Sequence, residues 1–201
     1  MRTKAPRSFK TRLSDAALLV PSHDRDATGS GGSTGQAVAI AFVAALGFGV
    51  ATFLGWAFSG SPLTGLVAGL VLEPLVTLAA WLGGSAAAWL VGARLAPPDA
   101  RGRRFWPVAR ALAFAQTPNL VGALVILPPP FRGGVWLMAR LWMLASSSAA
   151  IREALGLSGG RLLVTLFASA AVYTALLMGI FWVLSSIGVG SVASVHGIGG
   201  L

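Results

Sequence analysis

Long apolar runs alternate with short polar stretches from residue 36 to residue 188, and most charged side chains lie in the polar stretches or in the tail before them. At about 1.5 Å per residue, a helical run of roughly 20 residues crosses a hydrocarbon core about 30 Å thick. The pattern therefore predicts an all-α fold, a polytopic membrane helical bundle with five transmembrane helices. The predicted helices cover residues 36–58, 63–91, 105–127, 133–150 and 162–187.

The second run is the longest, and two of its features bear on packing. Pro74 lacks the backbone N–H that a helix interior uses, so we predict a kink near this residue. Gly65 and Gly69 are four residues apart and would let another helix approach closely. Because the chain contains 26 glycines, we interpret this pair as ordinary close packing.

The membrane domain, residues 36–188, lies between two segments of different composition. Residues 1–35 are basic, and residues 189–201 form a glycine-rich tail. Apolar residues recur at roughly helical spacing in the basic segment, opposite basic side chains. Two interpretations stay open for it: a short helix lying on the cytoplasmic leaflet, or a disordered tail that a flexible linker, residues 28–35, joins to the first span.

Composition agrees with a chain dissolved in lipid. Hydrophobic residues make up 55% of the sequence and charged residues 10%, whereas a soluble domain carries about 25% charged residues. The net charge of +9 would suggest nucleic acid as a partner of a soluble protein. Here the basic residues lie beside apolar runs, where they set orientation and meet anionic lipid headgroups. We therefore expect no nucleic-acid partner.

The distribution of arginine and lysine predicts the orientation of the bundle. Six of these residues lie in the first 35, four in the loop after the second run and two in the loop after the fourth. The loops on the opposite side contain only Arg132. Since basic loops stay in the cytoplasm, the N-terminus is predicted to be cytoplasmic and the C-terminus outside.

Three ionisable side chains, Glu73, Arg110 and Arg140, fall inside predicted spans, where they are costly and mark candidate functional positions. Counting along each helix places Glu73 about 15 Å, and Arg140 roughly 10 Å, from the outer end. Arg110 lies near the inner end, within reach of the cytoplasmic interface. We predict an ion pair between Glu73 and Arg140. It would either fix helix register, which we favour, or serve a transport pathway.

Polar residues also interrupt the third span. Gln116 and Asn119 are one turn apart on one face, at a depth similar to that of the two charged residues. Pro118 has no N–H, which frees the carbonyl of Phe114, four residues earlier, as an acceptor. The predicted intramembrane polar cluster comprises Glu73, Gln116, Pro118, Asn119 and Arg140.

The sequence contains no residue pattern that is typical of a catalytic, metal-binding or cofactor-binding site. The two histidines, His23 and His196, lie in opposite tails, which argues against a metal site. The serines at 146–148 have no histidine or acid pair near them in the sequence. The chain has no cysteine, and no glycine-rich loop follows a strand. The sequence predicts no enzymatic activity, no cofactor and no metal.

Several segments in a fixed order resemble the bacterial branch of the Yip domain family, whose members are five-span membrane proteins. They are RALAFAQTP at 110–118, a turn bounded by proline, LWML at 141–144, AAIREALGLS at 149–158 and GRLLV at 160–164. With VGARL at the end of the second run, the resemblance covers roughly residues 60–188. It implies five helices and a cytoplasmic N-terminus, and it brings no catalytic residues.

These observations lead to one expected function and one alternative. We expect a non-enzymatic integral membrane protein of the Yip type, in the bacterial cytoplasmic (inner) membrane. It would organise or assemble other membrane components or shape the bilayer, with lipid and either other membrane proteins or further copies of itself as partners. The alternative is a small transporter or channel subunit that uses the intramembrane polar cluster.

Overall fold

The computed structural model describes residues 33–97, 104–126 and 129–186, and every regular element in these ranges is helical. The predicted all-α class is therefore confirmed for the described part of the chain. The interfacial helix considered for the basic segment and the glycine-rich tail fall outside these ranges, except that residues 33–35 already belong to the first helix. The helices are numbered α1 (Ser33–Phe58), α2 (Pro62–Leu95), α3 (Phe105–Phe114), α4 (Pro129–Leu155) and α5 (Gly159–Ser186).

Four helices in the described ranges are long and apolar enough to cross a membrane. They correspond to the first, second, fourth and fifth predicted spans, and several of them extend past the predicted ends. The apolar run of α4 ends before Arg152, but the helix continues to Leu155 because backbone hydrogen bonding does not stop at a charge. It ends where Gly156 adopts a φ of 67°, a left-handed conformation that glycine adopts without strain. The crossing stretches are Thr34–Phe58, Pro62–Leu95, Gly133–Leu155 and Gly159–Val183.

The third predicted span is not a single α-helix. After α3 the chain makes a turn and continues as a 3-10 helix, Thr117–Ile126. The N–H of Gln116 donates to the carbonyl of Ala113 at 3.1 Å, three residues back, as in a 3-10 turn. Pro118 explains the change, because it has no N–H to donate and it disfavours the α conformation for the residue before it.

This third segment forms the centre of the bundle. Every residue from 108 to 119 is buried. Helices α1, α2 and α4 all pack against α3 or against the 3-10 helix that follows it. The amide side chains of this stretch, Gln116 and Asn119, are therefore enclosed by protein and face other helices instead of lipid.

A π-helix, Leu66–Leu72, lies directly before Glu73 and Pro74 within α2, where the sequence predicted a kink. The N–H of Glu73 donates to the carbonyl of Ala68, five residues back, instead of to the usual fourth residue. The wider turn provides room for the proline ring, which would otherwise meet a carbonyl of the preceding turn. The helix can therefore continue through the proline to Leu95.

Glycines let α1 and α2 approach closely. A Cβ added to Gly65 would lie 2.7 Å from the carbonyl oxygen of Phe53 and 2.7 Å from the Cβ of Trp56. Gly69 faces the backbone of Gly49 and Phe53 in the same way. The close approach predicted from the glycine pair is confirmed, and the partner is the first helix of the same chain.

Helix α5 packs along α2 and presents its other side outward. The hydroxyl of Ser169 donates to the carbonyl of Gly84 at 2.9 Å, which joins the two helices near their middle. Phe167 and Trp182, in contrast, are 68% and 73% exposed. Large apolar side chains at this exposure are stable only if lipid or another apolar surface covers them.

Candidate functional site

The amide residues of the third segment lie together, as predicted. The side chain of Asn119, which is 1% exposed, donates through Nδ2 to Oε1 of Gln116 at 2.7 Å. Pro118 has no N–H to donate to the carbonyl of Phe114. The hydroxyl of Thr117 donates to this carbonyl instead, at 2.6 Å. Asn119 Oδ1 is buried and accepts no hydrogen bond from the residues that the structure describes. The break in the helix is therefore largely compensated by side chains of the same segment.

Arg140 lies in the bundle between side chains from α1 and α5. Its Cζ lies 5.2 Å from the centroid of the Phe48 ring, which is the geometry of a cation–π contact. The guanidinium of Arg140 also lies close to the hydroxyl of Tyr173, within hydrogen-bonding reach. A guanidinium in a membrane helix is therefore held by an aromatic face and a phenol.

Glu73 is 2% exposed and is the first residue of the second α-helical stretch of α2, directly after the π-helix. Its carboxylate is close enough to Tyr173 to interact with it electrostatically. Tyr173 therefore has both predicted charged partners, Glu73 and Arg140, in its surroundings. The structure brings the two charged residues into one neighbourhood, and their direct pairing stays a prediction.

Three consecutive residues of α1 connect the amides to the charged residues. A Cβ added to Gly47 would lie 2.8 Å from the carbonyl oxygen of Asn119. Phe48 contacts Arg140, and Gly49 packs against the backbone of α2 close to Pro74. One short piece of α1 thus touches the 3-10 helix, α4 and α2. The residues of the predicted cluster thus lie in two neighbouring groups, the amides and the charged residues, and α1 contacts both groups.

Arg110 lies near the start of α3, and the expectation that its side chain reaches the cytoplasmic interface stays a prediction. It is 6% exposed and enclosed by neighbouring helices. The indole N–H of Trp81 donates to the carbonyl of Ala109 at 3.1 Å, one residue before Arg110. Helix α2 therefore covers this part of α3 and keeps it away from lipid.

The sequence interpretation missed Tyr173 and Phe48. Tyr173 is the only tyrosine of the chain and lies in the middle of α5, and a buried tyrosine in an apolar span needs a partner for its hydroxyl. That signal would have indicated Tyr173 as part of the cluster. Nothing in the sequence distinguishes Phe48 from other apolar residues of α1.

The chemistry of the site is that of packing and recognition. One carboxylate, one guanidinium, one phenol and two amides lie in the bundle; the amide contacts stabilise the third segment itself, whereas the contacts of Arg140 connect different helices. Within the described ranges, no three histidine, cysteine, aspartate or glutamate side chains come together in a way that could hold a metal ion.

Comparison with protein families identifies the family of this chain. The model of the Yip1 domain family matches residues 22–194, which is most of the chain and includes all the helices described above. No curated protein and no solved structure gives a significant match. With its apolar helices and this match over nearly its whole length, the chain belongs to the Yip1 domain family of membrane proteins.

Proposed function

We propose that the protein is a five-span, non-catalytic organiser of the bacterial cytoplasmic membrane. It would hold other membrane components together or shape the bilayer around them. Its N-terminus would lie in the cytoplasm and its C-terminus outside, as the positive-inside rule predicts from the basic loops. The proposal rests on the family, on the third segment and on the outer faces of α4 and α5.

The length of the third segment supports a fifth crossing. The ten residues of α3 extend about 15 Å, at about 1.5 Å per residue. The ten residues of the 3-10 helix add about 20 Å, because a 3-10 helix rises about 2.0 Å per residue. Together they reach about 35 Å if they run in one direction, which exceeds a hydrocarbon core of about 30 Å.

The uneven burial of the helices is the observation that carries the organising role. In the most apolar stretches of α1 and α2, 44% of the residues are buried within the chain. The share is 24% for α4 and 17% for α5. Helices in lipid associate through van der Waals packing and small residues. The broad apolar faces of α4 and α5 therefore suit contacts with other membrane helices as well as with lipid.

The intramembrane polar cluster fits the same proposal as a device for helix register. Phe48 and Tyr173 lie beside Arg140 from two helices, and Glu73 of a third helix lies near Tyr173. A pairing of Glu73 with Arg140 would then fix α2 against α4, while Gln116 and Asn119 stabilise the break after α3. Burial of charges that have protein partners is compatible with a structural role.

Photocrosslinking from the exposed face tests the organising role. A photoreactive phenylalanine analogue is placed at Phe167 or Trp182 of α5, and at Val50, an exposed position of α1, as the control. We expect discrete protein adducts from the α5 positions in intact membranes and fewer from Val50. Adducts with lipid alone at all three positions would contradict the proposal.

Reporter fusions test the topology separately. A reporter that is active only in the cytoplasm should be active after the fourth span and inactive at the C-terminus. Activity at both places would remove the five-span arrangement, whatever the crosslinking experiment gives.

A further inference from the structure

The ends of four helices meet at one end of the bundle, and this end is basic. The ring centroids of Trp89 and Phe105 are 6.1 Å apart, which joins the end of α2 to the start of α3. A Cβ on Gly92 would meet side chains of Leu155 in α4 and Thr165 in α5. Four exposed arginines lie at this end: Arg94, Arg104, Arg152 and Arg161. Glu153 is the one acidic residue in the described part of this end.

A cavity of about 500 Å³ lies at this end, between the last residue of α2 and the first turns of α5. Arg161 supplies the charged side chain of its lining, and its Nη1 donates to the carbonyl of Leu95 at 3.4 Å. This bond positions the guanidinium beside the cavity and leaves its other N–H groups for a further acceptor. The lining consists of Leu95, Ser158, Gly160, Arg161 and Val164.

The apolar part of the lining continues into the lipid-facing side of α5. Val164, which lines the cavity, is 55% exposed, and its neighbour Leu163 is 53% exposed. One turn further along, Phe167 is 68% exposed. A ligand in the cavity would therefore meet a cation, a hydroxyl and an adjoining apolar strip. A soluble anion would bind only the cation and the hydroxyl and would leave the apolar strip uncovered.

We propose that this cavity binds the phosphate-bearing headgroup of an anionic phospholipid. Arg161 donates to the phosphate, Ser158 contributes its hydroxyl, and the acyl chains lie along Leu163 and Phe167. Guanidinium groups bind phosphate oxygens with charge-assisted, often bidentate hydrogen bonds. Basic pockets between transmembrane helices are a known setting for anionic headgroups. The other arginines of this end add attraction for the whole anionic leaflet, whereas Arg161 makes the specific contact.

The test uses the purified, delipidated full chain in a neutral detergent. Phosphatidylglycerol or phosphatidylcholine with the same acyl chains is titrated, and native mass spectrometry measures the bound lipid. We expect one phosphatidylglycerol to bind more tightly than phosphatidylcholine. Arg161→Gln should reduce that preference about fivefold, which is the contribution typical of one basic residue at an anionic surface. Arg152→Gln removes the same charge from the same end outside the cavity lining and should change the preference less than twofold.

A second variant tests the cavity itself. A Cβ on Gly160 meets no atom within 4 Å, so Gly160→Leu can place its side chain in free space at the cavity lining without disturbing the helix. It should lower phosphatidylglycerol binding while Arg161 is still present, and far-ultraviolet circular dichroism should show unchanged helicity. Unchanged binding in this variant would overturn the proposal.

Three further outcomes would also overturn it. The first is no preference for phosphatidylglycerol in the unmodified chain. The second is an equal loss in Arg152→Gln and Arg161→Gln, which would indicate a diffuse surface potential. The third is displacement of the bound lipid by millimolar inorganic phosphate, which would indicate a site for a soluble anion. Because none of these measurements involves a protein partner, they are independent of the organising role.

Discussion

The contact between α1 and the 3-10 helix allows a sharp test of the packing around the amides. In Gly47→Ala the new methyl carbon would lie 2.8 Å from the carbonyl oxygen of Asn119 and 3.1 Å from the Cα of Leu120. Ordinary contact begins at 3.4 Å, so α1 and the segment must separate by about 0.6 Å at the closer contact. Both obstructing atoms belong to backbone and cannot rotate away.

The expected cost follows from this displacement. Adding a methyl group to a closely packed interior typically destabilises a protein by about 1–3 kcal/mol. Gly55 in the same helix is the matched control, because a Cβ added there meets no atom within 4 Å. Gly55→Ala should leave stability unchanged or raise it by about 0.5–1 kcal/mol, since alanine is the better helix former.

Equilibrium unfolding by sodium dodecyl sulfate in mixed micelles, followed by tryptophan fluorescence, gives the free energy of unfolding for both variants. We expect Gly47→Ala to be less stable than Gly55→Ala by at least 1 kcal/mol, which follows from the packing cost. Equal stabilities for the two variants would refute the close approach of α1 to Asn119.

Three further sets of variants test individual polar contacts by the same unfolding measurement. Trp81→Phe removes the indole N–H that donates to the carbonyl of Ala109 and should lower the free energy of unfolding by about 1 kcal/mol. Trp182→Phe, at an exposed position, should lower it much less. Equal effects of the two substitutions would contradict the bond from Trp81 to Ala109. Tyr173→Phe removes the phenol hydroxyl that lies beside Arg140 and should cost roughly 0.6–1.7 kcal/mol, and a neutral result would argue against this contact. Glu73→Arg and Arg140→Glu should each destabilise the bundle, and the double exchange should recover part of the loss. If it recovers none, the two residues do not pair.

The sequence predicted the helices well because lipid imposes a simple rule on them. A membrane helix must satisfy its own backbone groups and cover its length with apolar side chains, so hydropathy alone locates it. The close contact at Gly65 and Gly69 was likewise a local consequence of residue type, and the structure adds that α1 is the helix that the glycines approach. At Pro74 the sequence predicted a kink, and the structure has a π-helix directly before this residue.

The third segment and the charged residues were harder to predict, because their structure depends on partners distant in the chain. Pro118 indicates a break, but the 3-10 helix that follows it for ten residues is packed between α1 and α4, which are distant in the sequence. Counting residues placed Glu73 and Arg140 at similar depths without showing which side chain lies near both. That side chain, Tyr173, comes from α5, and sequence spacing carries no information about contacts between helices.

Enclosure of the third segment has a consequence for biosynthesis. Residues 108–119 are buried in the finished bundle, yet the ribosome delivers them to the insertion machinery before α4 exists. The irregular backbone after α3 carries polar groups that lipid hydrocarbon cannot satisfy, so release of this segment into bare lipid is unfavourable. We therefore expect the translocon or an intramembrane chaperone to retain the nascent third segment until α4 has been synthesised and can shield it.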